Sequence, residues 1–235
     1  MDDEDDDNDV CKVVLLGESG VGKTSIISRF SNGSFENNIL STNGASYICR
    51  NLTFPEYQNR ILKFEIWDTA GQEQYRALNK LFYTDASICI LVYDITNINS
   101  FNALKDYWHQ QLKDFGPKNI ILGLVANKSD LYNEEQIPEE IARKFAKEIN
   151  AFFSYTSASK FTGIDELFHD IGCKYIDPNY KSEEWSLDEV KKQINSNNNK
   201  QTSINEKEEG SKNKSKIKLD NNKHSGKNKK NKKCC

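Results

Sequence analysis

No apolar run in this chain approaches the roughly 18 residues that a helix needs to cross a bilayer, so no membrane span is expected. No secretory leader is expected either: the N-terminus opens on acids where a basic and then an apolar segment is required, and a cytosolic starting point is the expectation. The six cysteines include no C-x-x-C pair, so neither a zinc site nor a redox motif is expected. Cys11, Cys49, Cys89 and Cys173 are scattered, and three of them sit in apolar surroundings suited to small core residues. Internal repeats are absent. Hydrophobic residues are scarce at 37%, yet nearly all lie within 11–180, which leaves a core of normal size to about 170 residues.

Charge is unevenly placed. The net value of −3 conceals seven acids and no base over positions 2–9, and twelve lysines against four acids from Lys200 to Cys235. Like-charge blocks and Asn/Lys/Ser-rich tracts do not bury enough apolar surface to offset the entropy of ordering. Three parts are therefore expected: an acidic N-terminus over 1–10, one folded domain over 11–178, and a flexible tail over 179–235.

The folded part is organised around Gly17-Glu18-Ser19-Gly20-Val21-Gly22-Lys23-Thr24, which fits the phosphate-binding pattern G-x-x-x-x-G-K-[ST]. An apolar strand, Cys11–Leu16, precedes it, and Ser25–Phe30 follows with helical spacing, which is the context the pattern requires. Its glycines let successive N–H groups converge on phosphate oxygens at a helix N-terminus. Lys23 then reaches the β- and γ-phosphates and the Thr24 hydroxyl ligates Mg²⁺.

Strand patterns follow at Ala45–Phe54 and Arg60–Asp68, joined by a turn over 55–59, and at Ser87–Tyr93, Ile120–Ala126 and Phe152–Thr156. The unbroken run Ser87–Tyr93 marks a strand covered on both faces. Helical patterns cover Gly71–Tyr83 weakly, then Asn99–Phe115 with Ser100 as cap, Pro138–Asn150 and Ile164–Ile176. Strands alternating with helices predict an α/β, doubly wound P-loop domain: a six-stranded, mostly parallel sheet with five helices, then the tail.

Two further motifs end strands. In Asp68-Thr69-Ala70-Gly71-Gln72 the acid is placed to hold the metal, Gly71 N–H to meet a γ-phosphate, and Gln72 to orient an attacking water. In Asn127-Lys128-Ser129-Asp130 the carboxylate accepts two hydrogen bonds from guanine N1–H and N2 and repels the N1 acceptor of adenine. Alone, this second pattern arises by chance in roughly 10–15% of chains of this composition, so its place after a central strand carries the assignment.

Together these motifs resemble the Ras superfamily of small GTPases over about Lys12–Ile176. Trp67-Asp68-Thr69-Ala70-Gly71-Gln72-Glu73, Leu91-Val92-Tyr93-Asp94-Ile95-Thr96 and the terminal Cys234-Cys235 resemble the Rab branch. Lys63–Trp67 and Ser41-Thr42-x-Gly44-Ala45 are most similar to its endosomal subgroup. The resemblance implies GTP and GDP as bound nucleotides with Mg²⁺, hydrolysis served by Gln72, and metal contacts from Thr24, Thr42 and Asp68. Nucleotide contacts are implied along Gly17–Thr24 with Ser25, and at Phe35, Thr42, Asp68, Gly71, Asn127, Lys128, Asp130, Ser157 and Ala158. It also implies an aromatic effector trio of Tyr47, Trp67 and Phe82, for which ordinary core packing is the competing reading. Its partners are an exchange factor, an activating protein, a GDP-dissociation inhibitor or escort protein, and effectors, acting on a monomer without nucleic acid.

Cys234-Cys235 after a lysine-rich tail resembles the Rab double geranylgeranylation signal and is not a C-a-a-X box. Two lipid chains beside a basic patch anchor firmly, so cycling onto endosomal or vesicle membranes is expected. The chain departs from the family at Asn43, Gln74 and Ser159, within 82–86, and in a β-hairpin about three residues longer than usual. Two other readings compete with the switch: a P-loop metabolic kinase, in which Gln72 and Asn127–Asp130 have no purpose, and a module locked in one nucleotide state.

Overall fold

The computed structural model describes residues 9–36, 42, 45–71, 76–182 and 185–196. Six strands form one sheet: β1 (Asp9–Leu16), β2 (Ala45–Phe54), β3 (Arg60–Thr69), β4 (Ile88–Asp94), β5 (Ile121–Asn127) and β6 (Phe152–Thr156). Their order is β2-β3-β1-β4-β5-β6. All neighbours are parallel except β2 and β3. That exception has a local cause. Gln58 and Asn59 both take left-handed φ values, 58° and 59°, which reverses the chain within a short turn, whereas parallel neighbours need a crossover.

The crossovers are α1 (Lys23–Asn32), α2 (Arg76–Tyr83), α3 (Ile98–Ala103), α4 (His109–Phe115), α5 (Glu139–Glu148) and α6 (Ile164–Ile176). Alternate side chains of β1 enter opposite faces of the sheet. Val13 and Leu15 join Ile26, Phe30, Phe168 and Ile171 in one core, where Phe30 and Phe168 stack with centroids 3.7 Å apart. On the other face Tyr93, Phe101 and Phe145 follow one another edge to face. Every residue of β4 is buried, as its unbroken apolar run requires.

The single helix expected over 99–115 is interrupted by a π turn at Leu104–Trp108, so α3 and α4 are two segments of one run. The run begins one residue earlier than expected, and its cap is Asn97, whose side chain accepts the Asn99 N–H, rather than Ser100. Ser100 is buried and instead ties the helix to the end of β4 through Asp94 N–H. The π turn carries Trp108, whose Nε1 donates to Glu18 of the P-loop at 3.0 Å.

The folded unit extends past residue 178. A helix over 187–196 begins with a capping box in which Ser186 N–H donates to Glu189 Oε2 (2.7 Å) and Glu189 N–H to Ser186 Oγ (3.4 Å). Leu187 N–H donates to Glu139, Arg143 donates to Trp185 O, and Leu187 and Val190 are buried. The S-x-x-E signal was legible at Ser186, and the polar composition around it obscured it. Of the acidic terminus expected over 1–10, Asp9 and Val10 instead open β1; residues 1–8 and the tail beyond 196 lie outside the described residues.

Candidate nucleotide site

β1 ends against the P-loop, and three backbone facts shape the loop. Gly17 approaches Val92 O so closely that a Cβ would stand 2.2 Å from it. Gly22 takes φ 98°, and a Cβ there would meet Asn127 Nδ2 at 2.3 Å. Gly71 lies against the loop backbone, where a Cβ would fall 2.4 Å from Ser19 N. Glycine at these positions brings the second and third motifs into contact with the first.

Lys23 is 5% exposed, and its ammonium donates to Gly17 O (2.8 Å) and Glu18 O (3.0 Å) across the mouth of the loop. Burial lowers its pKa to about 8, against the opposing pull of Asp68 and Glu18. A cationic donor held at the loop mouth is the group a polyphosphate replaces the carbonyls for.

Beside it, Thr24 Oγ1 donates to Asp68 Oδ2 at 2.6 Å and lies 2.8 Å from Thr42 Oγ1, which is 3.4 Å from the same carboxylate oxygen. Asp68 is 1% exposed and its Oδ1 has no hydrogen-bond partner among the described residues. Burial raises its pKa, opposed first by the Thr24 hydrogen bond, then by Lys23 and Thr42. A buried carboxylate with an orphaned oxygen beside two converging hydroxyls is a hard-oxygen donor set that fits Mg²⁺.

The base end is built by Asn127, which links three segments. Its Nδ2 donates to Val21 O (2.7 Å) and its Oδ1 accepts from Thr156 Oγ1 (3.0 Å). Asp130 Oδ1 accepts from Ser157 Oγ at 2.5 Å, and Ser157 Oγ also accepts Lys160 N–H at 3.0 Å. Lys128, in left-handed conformation, pairs with Asp94 Oδ2 at 2.6 Å and lines the cleft. Arg29 of α1 supports the same loop from below, with Nε donating to Ala158 O (2.6 Å) and Nη2 to Ser159 O (3.1 Å). Its guanidinium also lies over Phe35, 5.3 Å from the ring centroid.

These parts enclose a cleft of about 380 Å³. Of the residues anticipated from sequence, Ser19, Gly20, Gly22, Lys23, Thr24, Ser25, Phe35, Thr42, Gly71, Asn127, Lys128, Asp130 and Ala158 line it. Gly17, Glu18, Val21, Asp68 and Ser157 stand behind that wall and hold it by the contacts above. Glu36, Thr69, Leu131 and Ser159 line it too, and Arg29, Asp94 and Thr156 support it from behind. Thr156 precedes Ser157 and Ala158 in the stretch that resembles the family's base-binding loop. Arg29 carries no local signal.

Gln72, Asn43 and Gln74 lie outside the described residues, as do Cys234 and Cys235. The aromatic trio lies within the described residues. Tyr47 is 46% exposed, Trp67 and Phe82 are half-buried, and Trp67 meets Tyr47 and Phe82 at 5.2 Å each, forming one surface ladder.

The fold and the cleft define a guanine-nucleotide P-loop domain. Comparison with known proteins agrees: the Ras family model matches residues 12–177. Human Ras-related protein Rab-22A is 44% identical over 160 residues, 68% of this chain and 80% of the relative. Ras-related protein Rab-31 of Rattus norvegicus is 42% identical over the same shares, and Ras-related protein Rab5A of Oryza sativa subsp. japonica is 42% identical over 70% and 79%. The chain belongs to the Ras family and, within it, to the Rab small GTPases. Membership removes the metabolic-kinase reading.

Proposed function

We propose that this chain is a GTP-operated switch of vesicle and endosomal membrane traffic. The observation that carries the reading is Asn127, whose amide joins the phosphate loop at Val21 to the base loop at Thr156, so one residue couples guanine recognition to phosphate binding. Ser157 holds one oxygen of Asp130 and orients the carboxylate toward the N1–H and N2 groups of guanine. Thr24, Thr42 and Asp68 would hold Mg²⁺, which would neutralise phosphate charge when bound. Lys23 exchanges its two carbonyl acceptors for phosphate oxygens. Loss of the γ-phosphate releases the Thr42 and Gly71 segments, and that release is the switch.

In this reading Gln72 orients the attacking water. Intrinsic turnover is slow, because an activating protein supplies the transition-state arginine. An exchange factor reloads the site, and effectors engage the Tyr47–Trp67–Phe82 ladder. Geranylgeranyl groups on Cys234 and Cys235, with the basic tail, anchor the chain, and an escort or GDP-dissociation inhibitor carries it through the cytosol. Among the described residues no helix is long and apolar enough to cross a membrane.

Chromatography of the nucleotide released from denatured protein tests the core of this. Stoichiometric guanosine diphosphate, followed by conversion of added GTP, is the expected result. Adenine nucleotide would overturn the guanine assignment, and retained, unhydrolysed GTP would replace the switch with the locked module.

A further inference from the structure

Away from the nucleotide cleft, the short helical turn Pro55–Tyr57 at the tip of the β2–β3 hairpin meets α6. Three chemically different side chains converge there: Glu56 from the turn, and His169 and Cys173 one helical turn apart on α6. His169 Nε2 lies 2.7 Å from Glu56 Oε1. The Cys173 thiol donates to that same oxygen at 3.2 Å and lies 3.7 and 3.8 Å from the two ring nitrogens of His169. All three ligand atoms fall within 4.8 Å of one another. The cysteine spacing along the sequence suggested no zinc site, because it carries no information about a partner 117 residues away.

We propose that Glu56, His169 and Cys173 form a zinc-binding site that clamps the β2–β3 turn to α6. The donor set of thiolate, imidazole and carboxylate is the one a borderline-soft ion selects, and it disfavours Mg²⁺. Zinc bonds of 2.0–2.3 Å in tetrahedral geometry set ligand–ligand separations of roughly 3.3–3.6 Å. The sulfur–oxygen and sulfur–nitrogen distances are already within a few tenths of an ångström of that, and the nitrogen–oxygen pair must open furthest, by roughly 0.6 Å or more.

The site is also braced. Phe54, next to the turn, packs against His169 with centroids 5.6 Å apart, and Gly172 lets the Phe54 ring press on the α6 backbone, where a Cβ would meet Phe54 Cζ at 2.1 Å. Asp170 Oδ1 stands 3.9 Å from His169 Nδ1, on the other side of the ring from Glu56, and Tyr180 OH donates to Asp170 at 2.7 Å. At that distance Asp170 is a charged neighbour of the imidazole, beyond hydrogen-bond reach. Binding forms the sulfur–zinc bond as the Cys173 thiol proton leaves to solvent, and a water takes the fourth position.

The test uses the full-length chain loaded with GDP and excess Mg²⁺, carrying Cys234→Ser and Cys235→Ser so that the terminal thiols do not compete. Co²⁺ is the optical probe, and Zn²⁺ is the competitor. We expect one equivalent of Co²⁺ to produce a thiolate-to-cobalt charge-transfer band that Zn²⁺ removes and Mg²⁺ does not. Among the described residues no cysteine lines the nucleotide cleft, so metal bound there gives no such band. The side chains of His169 and Glu56 are 49% and 42% exposed, so His169→Gln and Glu56→Gln retain the fold, checked by their retained GDP. The band should vanish in the first, and affinity should fall at least about tenfold in the second. Absence of the band, or a band unchanged by His169→Gln, overturns the proposal.

Discussion

Arg29→Ala tests whether α1 governs nucleotide retention through the base loop. Arg29 donates to Ala158 O at 2.6 Å, to Ser159 O at 3.1 Å and to Gly33 O at 2.5 Å, and covers the Phe35 ring. A hydrogen bond from a charged donor contributes about 1.5–3 kcal/mol when shielded from water. The Gly33 contact is exposed and is discounted, while the two loop contacts are part-buried and are scaled down for solvent screening to about 1.5–3 kcal/mol together. The substitution frees the loop that holds Ser157 against Asp130. If most of that free energy is felt by bound nucleotide, GDP dissociates roughly ten- to a hundredfold faster, since each 1.4 kcal/mol is a factor of ten. The assay is release of a fluorescent GDP analogue in excess unlabelled GDP at fixed Mg²⁺. Arg29→Lys keeps the charge without the planar fork and should fall between wild type and Arg29→Ala. A dissociation rate within twofold of wild type for Arg29→Ala would refute the reasoning. The position also bears on Ser159, which stands where the family ordinarily has lysine: the backbone of that residue is held from α1.

Gly22→Ala forces a Cβ to 2.3 Å from Asn127 Nδ2 at a φ of 98°, so strain of about 1–3 kcal/mol should lower the melting temperature by roughly 2–12 °C, read by calorimetry. An unchanged melting temperature would remove Gly22 from the coupling of the two loops. Among Cys11, Cys49, Cys89 and Cys173, only Cys49 is exposed. Burial pushes the Cys11 thiol up to about 12 and Cys89 higher still, and burial followed by Glu56 pushes Cys173 up to about 12. Folded protein at pH 8 should therefore label quickly at Cys49 alone of these four, as mass spectrometry of digested, alkylated chain will show. Tyr47→Ala removes an exposed ring and one aromatic contact, so stability should fall by only about 1 kcal/mol while effector capture is lost; a large loss of stability would return Tyr47 to the core.

The sequence by itself determined the elements and the chemistry they carry. The apolar run of β4, the limits of β6 and α6, and the three motifs were legible because strand alternation, helical periodicity and turn chemistry act within about ten residues. Even the misplaced cap at Ser100 and the overlooked capping box at Ser186 were errors of reading, since the signals were present locally. Tertiary structure decided what those elements bring together. Arg29 reaches residues 129 and 130 positions away, and Asn127 joins two loops, because the order β2-β3-β1-β4-β5-β6 sets the strand ends side by side. The antiparallel register of β2 and β3, which places Tyr47 opposite Trp67, assembled the partly exposed aromatic ladder. The Glu56–His169–Cys173 cluster exists only because a hairpin tip docks on α6. Contacts of this kind depend on sheet order and register, which arise from the packing of the whole chain, and no window of neighbouring residues encodes them.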